Sequence, residues 1–358
     1  MLQRRTLLTL GTTALSLSLV LPTGLQAEEK VPVVATFSIL GDMVERIGGD
    51  HIAVTTLVGP DGDAHVYQPT PADARSVSEA EIQFVNGLEF EGWIDRLVDA
   101  SGFDGTRMVA TTGVEAIPFE EDDHHGEEKH GDHDDHAGHG HDDHAEEAAH
   151  DDHGHDDHGH DDHAGHDDHA DEKHGDAHGH DHGAFDPHAW QSLANGEIYA
   201  TNIAATLAKA DPANAADYLA NAAAYIAEMK ALDAEIRTLI DTLPPEARTI
   251  VTSHDAFGYF AESYNLVFEA PQGLSTESEP SAAEVAEMID QIRDEGISAV
   301  FVETITDNRL LEQIASETGA RIGGTLFSDA LSGPDGPAST YLDMMRHNAS
   351  TLAAALSS

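Results

Sequence analysis

From Val31 onward, short apolar runs alternate with stretches in which apolar residues recur every three to four positions. VPVVATFS (31–38), HIAVTTLVG (51–59), EIQFVNG (81–87) and RMVATTG (107–113) read as buried strands. Between them, ILGDMVERIGGD (39–50), residues 71–80 and EFEGWIDRLVDA (89–100) carry helical periodicity. Past residue 244 the alternation resumes. TIVTSH (249–254), NLVFEA (265–270), SAVFVET (298–304) and ARIGGTLF (320–327) are strands. DAFGYFAESY (255–264), SAAEVAEMIDQIRDEG (281–296), DNRLLEQIASETG (307–319) and STYLDMMRHNASTLAAAL (339–356) are helices. Strands separated by helices indicate βαβ units and mostly parallel sheets. The two halves flank an Ala-rich stretch, residues 210–243, with Pro212 near its start and Pro244-Pro245 just beyond its end. This predicts one continuous helix, a rod of roughly 45–50 Å at ~1.5 Å per residue. Its apolar stripe does not hold a heptad, which tells against the alternative of a coiled-coil dimerisation helix.

The alternation breaks at 122–182, where the chain contains no Val, Ile, Leu, Met, Phe, Tyr or Trp and holds 20 of its 25 histidines. Such a segment cannot offset the entropy of ordering its backbone, so a disordered, solvated loop is expected. Imidazole beside carboxylate suits Zn, Cu, Ni and Co. The spacing is too irregular for one tetrahedral site and indicates several weak, exchanging ones; a merely solubilising acidic tract would not need these histidines.

At the other extreme, residues 1–27 combine Arg4 and Arg5, an apolar run over about Leu7–Leu21 and a small-residue end at Ala27. That is the pattern of a secretory signal peptide. The chain has no cysteine, which excludes disulfides, thiolate metal sites, cysteine nucleophiles and a lipid-bearing N-terminal Cys. A soluble periplasmic protein is expected. The formal net charge is −50, and residues 120–182 hold 25 acids against two lysines, so the remainder is also strongly acidic. Cations suit such a chain; nucleic acid and anionic membranes do not. The expected organisation is a signal peptide (1–27), an N-terminal α/β lobe (28–209) containing the loop 122–182, a rigid connecting helix (210–243) and a C-terminal α/β lobe (244–358).

Ligands of open parallel sheets bind beyond the carboxyl ends of strands. His65 lies in the turn-rich segment after 51–59, His254 closes TIVTSH, Asp329 follows 320–327 by two residues, and His188 sits in AFDPHAWQS. Three imidazoles and a carboxylate make a full tetrahedral set for Zn²⁺. Glu303, ending a strand in the same layer, competes with Asp329 for the fourth place. His51 and His347 read as ordinary surface or core residues, and Asp255 as a helix N-cap.

The segments VVATFSILGDMVERIGGD, GPDGDAHVYQPTPAD, NGLEFEGWIDRL, DPHAW, TSHDAFGYF and VFVET, followed by Asp329, resemble the ZnuA-type zinc-binding periplasmic proteins of ABC importers, in order over 31–358. The resemblance implies two α/β lobes of mostly parallel sheets flanked by helices, joined by one long rigid helix, with the metal site in the cleft between them. It implies His65, His188, His254 and Asp329 as ligands. Manganese-specific relatives carry a carboxylate where His254 stands, so the histidine favours zinc. Zn²⁺ is then a transported ligand, an ABC permease the partner and a periplasmic metallochaperone a further one; the protein is expected to be a monomer. Affinity should fall as pH drops through about 6.5. The loop would collect zinc or sense saturation. A zinc hydrolase is disfavoured, because four convergent ligands leave no open position and no HExxH motif is present. A zinc store would leave the bilobal body unexplained.

Overall fold

The computed structural model describes residues 30–119 and 184–357. The signal segment 1–27 and the loop 122–182 lie outside the described residues. Two four-stranded sheets, each wholly parallel, form the frame. In the first, β1 (Val31–Phe37) lies between β2 (Ile52–Val58) and β3 (Ile82–Val85), with β4 (Thr106–Val109) beyond β3, giving the order β2-β1-β3-β4. In the second, β5 (Thr249–Val251) lies between β6 (Val267–Glu269) and β7 (Ala299–Glu303), with β8 (Arg321–Leu326) beyond β7, giving β6-β5-β7-β8. Both orders reverse beside their first strand, so each sheet has a switch point at which its strands' carboxyl ends open a crevice.

Helices α1 (Ser38–Gly48), α2 (Pro71–Glu79) and α3 (Ile94–Ser101) serve the first sheet. The second has α6 (Gly258–Tyr264), α7 (Ala282–Glu295), α8 (Arg309–Thr318) and α9 (Tyr341–Leu356). Their starts follow local chemistry. Thr70 and Asp73 form a capping box ahead of α2 with Pro71 inside its first turn, and Ser281 with Glu284 does the same for α7. α3 begins five residues later than its periodicity predicts. Gly87, Leu88 and Glu89 all have positive φ, which turns the chain out of β3 and postpones the helix.

The stretch 210–243 holds one continuous helix, shorter than expected, which starts five residues later and ends three residues earlier. α4 (Leu193–Ala210) ends at Asp211, and α5 (Ala215–Ile240) begins four residues further on. The residue before a proline is driven out of the helical region, and Asp211 lies at φ −124, ψ 80 ahead of Pro212. The 26 residues of α5 span roughly 39 Å. Its buried residues Tyr218, Ala222, Tyr225, Met229, Leu232, Ile236 and Ile240 do step by four and three, contrary to the sequence expectation. α5 packs against α1, α4, α6 and α9, so the stripe is consumed inside the chain. One apolar core consequently runs through both sheets, from Val33 and Phe84 to Phe301 and Leu326. A smaller one lies between the second sheet and α7 and α8, around Ile289, Val300 and Ile314.

Candidate metal centre

The carboxyl ends of both sheets deliver four side chains to one point. His65 follows β2, His254 follows β5 and Asp329 follows β8. His188 arrives in a turn just ahead of α4, where Pro187 and a short 3₁₀ turn over Ala189–Gln191 reverse the chain. One ligand-type atom from each lies within 4.8 Å of all the others. His65 Nε2 is 3.0 Å from Asp329 Oδ2 and 3.4 Å from His188 Nε2. His188 Nε2 is 3.6 Å from Asp329 Oδ1, and His254 Nε2 is 3.3 Å from Asp329 Oδ2. A tetrahedron with metal–ligand bonds of about 2.0–2.1 Å has edges of about 3.3–3.4 Å. The observed separations bracket that length.

Two of the histidines are held from behind by carboxylates. Asp186 Oδ1 accepts from the His188 backbone N–H and contacts its ring Nδ1, both at 2.8 Å. Glu303 Oε1 accepts from the backbone N–H groups of Ser253 (2.8 Å) and His254 (3.0 Å). Its Oε2 lies 2.8 Å from His254 Nδ1, close enough for ionic attraction though out of hydrogen-bond alignment. With Nδ1 turned to a carboxylate, Nε2 is the nitrogen directed at the shared point in both rings, the usual arrangement of metal-binding imidazoles. Glu303 therefore stands behind His254 and outside the four-atom cluster; strand pairing of β7 beside β5 puts it there.

Main-chain carbonyls next to the cluster are also held. Trp93 Nε1 donates to Ala64 O (2.7 Å), Asn86 Nδ2 to Pro187 O (2.8 Å), and Trp190 Nε1 and Gln191 Nε2 to Ser328 O (2.9 and 2.7 Å). The last pair ties the His188 turn to the Asp329 turn across the cleft. Phe37, Phe90 and Trp190 pack against one another at tilted and edge-on angles, with Phe90 edge-on to His65. Buried aromatic walls lower the local dielectric and strengthen every charge interaction inside.

The electrostatics follow from that packing. Burial alone would lower the His188 imidazole, but Asp329 and Asp186 outweigh it and raise its pKa from 6.5 to about 9. Burial opposes protonation of His254 too, yet Glu303 and Asp329 hold its pKa well above the ordinary value. Asp329 is buried, which favours its neutral form, but His188 and His254 keep it well below the usual carboxylate range. Asp329 Oδ1 and both ring nitrogens of His254 are buried with no aligned hydrogen-bond partner. Such atoms are costly to leave unpaired, about 1–3 kcal/mol each; a divalent cation at the shared point would satisfy Asp329 Oδ1 and His254 Nε2, while His254 Nδ1 faces Glu303 Oε2.

The other candidates fall elsewhere. His51 pairs with Asp217 at 3.0 Å against the edge of Tyr218. His347 contacts Thr325 O at 3.0 Å beside Phe327. Asp255 does not cap α6, whose N-cap is Phe257, because the Asp255 N–H is drawn to the carbonyls of Gln272 and Gly273 and the helix starts later. Its carboxyl is raised from 3.8 by burial and by Asp186. Asp186 was not foreseen, although an Asp two residues before a ligand-type His was legible in DPHAW.

The family model for the periplasmic component A of the zinc-uptake complex, ZnuA, matches residues 33–355. The manganese-binding lipoprotein MntA of Halalkalibacterium halodurans is 29% identical, over 92% of this chain and 89% of its own. The iron-binding protein YfeA of Yersinia pestis is also 29% identical, over 91% and 86%. Among solved structures, a manganese-bound mutant of the periplasmic metal binding protein from Candidatus Liberibacter asiaticus is 30% identical. It has a TM-score of 0.69 and covers 91% of this chain and 98% of that one. SsaB of Streptococcus sanguinis, 27% identical over 89% of this chain and 87% of its own, is named a metal ABC transporter substrate-binding lipoprotein. The chain belongs to the ZnuA family and is a metal-binding substrate-binding protein of an ABC transporter.

Proposed function

We propose that the cargo is Zn²⁺, bound by His65, His188, His254 and Asp329 in the cleft between the sheets and handed to the membrane permease of an ABC importer. The observation that carries this reading is the donor set: three imidazole nitrogens and one carboxylate oxygen converging within 4.8 Å of one another. Zn²⁺ favours nitrogen ligands and four-coordination, whereas Mn²⁺ favours oxygen. The relatives named for manganese and iron make those ions the competing cargo, and the third imidazole argues against them.

The signal-peptide pattern supports export to the periplasm. Among the described residues no helix is long and apolar enough to cross a membrane. The shared core, with α5 packed on helices from both sheets, supports capture by reordering of loops at the cleft more than by a swing of one lobe against the other. The His-rich loop 122–182 is read as an auxiliary collector or sensor with weaker, exchanging sites.

A zinc competition titration of the protein, beside a version lacking 122–182, tests this. One tight site should persist in both and vanish in the short version on His254→Ala. A short version that binds no zinc tightly would move the site to the loop. Tighter binding of Mn²⁺ than of Zn²⁺ would reassign the cargo.

A further inference from the structure

The three histidines are not supported alike. Asp186 lies behind His188 and Glu303 behind His254, each from the same side of the cleft as the imidazole it holds. The described residues place no carboxylate against the second ring nitrogen of His65. His65 is also the least buried of the four, 8% exposed against 0% for His188, His254 and Asp329.

The His65 turn is held from across the cleft instead. The loop after β6 runs past His254, forming a parallel bridge between His254 and Gln272, and Gln272 and Gly273 accept from the Asp255 N–H at 3.0 and 3.2 Å. Gln272 Nε2 then closes the loop on the carbonyls of Thr276 (3.2 Å) and Ser278 (2.6 Å). At its tip Thr276 Oγ1 donates to Asp63 Oδ2 at 2.6 Å, and the other oxygen, Asp63 Oδ1, accepts from the His65 backbone N–H at 2.9 Å. A second tie runs in parallel: the Asp61 N–H donates to Leu331 O at 2.8 Å, two residues beyond Asp329.

Resting on the reading of the four-residue cluster as the metal site, we propose that Asp63 and Thr276 are a positioning pair that fixes the His65 turn from the opposite side of the cleft and so sets the rate of metal release. The two oxygens of one carboxylate join the strap that is bridged to His254 to the backbone of His65. A charge-assisted hydrogen bond restricts the turn more than a neutral one would. His65 must swing aside for the ion to leave by the exposed edge, and the Asp63–Thr276 bond must break or bend for that to happen. Outer partners of ligands are worth 10–100-fold in metal affinity when they hold the ring itself. A partner acting through the backbone should lie at the lower end.

The test is stopped-flow release of Zn²⁺ from the full chain, loaded with one equivalent, into excess chelator. The slow phase that disappears in His254→Ala identifies the cleft site. Thr276→Val should speed that phase by about tenfold, and Thr276→Ser, which keeps the hydroxyl, should restore a rate near the parent's. Asp63→Ala should be at least as fast as Thr276→Val, and the double variant no faster than Asp63→Ala, because both act through one bond. A Thr276→Val rate within twofold of the parent overturns the proposal. So does equal acceleration by Val and Ser, or multiplication of the two effects in the double variant. Absence of any slow phase in the parent removes the metal-site reading and this inference with it, a result separable from the others.

Discussion

Protons and metal compete for the same nitrogens in this cleft, and the competition should extend well above the range of an ordinary imidazole. His188 has its pKa raised to about 9, and His254 is raised in the same direction. At pH 7, with no metal bound, His188 therefore carries a proton that Zn²⁺ must displace. For one such proton the apparent affinity rises about tenfold, or about 1.4 kcal/mol, per pH unit until pH approaches 9. Between pH 7 and 8.5 the gain is about thirtyfold, and steeper if His254 gives up a second proton. Unperturbed imidazoles titrating near 6.5 would instead give an affinity flat above about pH 7.5.

Stability carries the opposite sign. A histidine whose folded-state pKa lies above its unfolded value stabilises the fold fully below about 6.5 and loses that contribution as pH rises through about 9. The protein without metal should therefore melt at lower temperature at pH 9 than at pH 7, while the gain in Tm on adding zinc grows. Asp329, depressed by His188 and His254, stabilises above the ordinary carboxylate pKa and ceases to do so as pH falls through its lower folded value. Competition against a chelator of known pH-dependent affinity, with proton release followed by an indicator dye in weak buffer, measures the affinity, and thermal melts with and without zinc measure the stability. An affinity flat from pH 7.5 to 8.5, with no proton released per zinc at pH 7, would refute the electrostatic account of the cluster.

Asp186→Asn and Glu303→Gln each remove the charge behind one imidazole while keeping its shape; zinc affinity should fall about 10–100-fold in competition titrations, with the far-UV CD spectrum unchanged. Trp190→Phe deletes one donor to Ser328 O and shrinks a fully buried side chain, but Gln191 Nε2 still serves that carbonyl. Thermal unfolding should report a loss of about 1–3 kcal/mol, and adding Gln191→Ala should cost more than the two separate losses combined, since the carbonyl is then left unpaired.

How much of this could be read from the chain depends on whether a contact is fixed by local pattern or by strand order. The four cluster residues were legible as candidates because each follows an apolar run read as a buried parallel strand or, for His188, lies in a proline turn, and parallel sheets gather such positions at one end; the family resemblance then chose Asp329 over Glu303. Glu303 was legible as a strand-end carboxylate but not as a support. Whether a residue at the end of β7 enters the cleft or lies behind His254 depends on β7 pairing beside β5, and periodicity does not encode that neighbour. Pro212 was recognised as a start signal of the long helix, but it also acts on Asp211, ending α4 there, so that α5 begins at Ala215 and not at 210. The Asp63–Thr276 contact joins residues 213 positions apart in two irregular loops, and neither residue has a pattern to mark it. Residues that present donors at the shared point lie just beyond or ahead of regular elements, where the alternation of strands and helices marks them as candidates. Those that set how tightly and for how long it is held depend on the assembled cleft, and there a single Thr→Val exchange tests what no pattern of apolar positions could foretell.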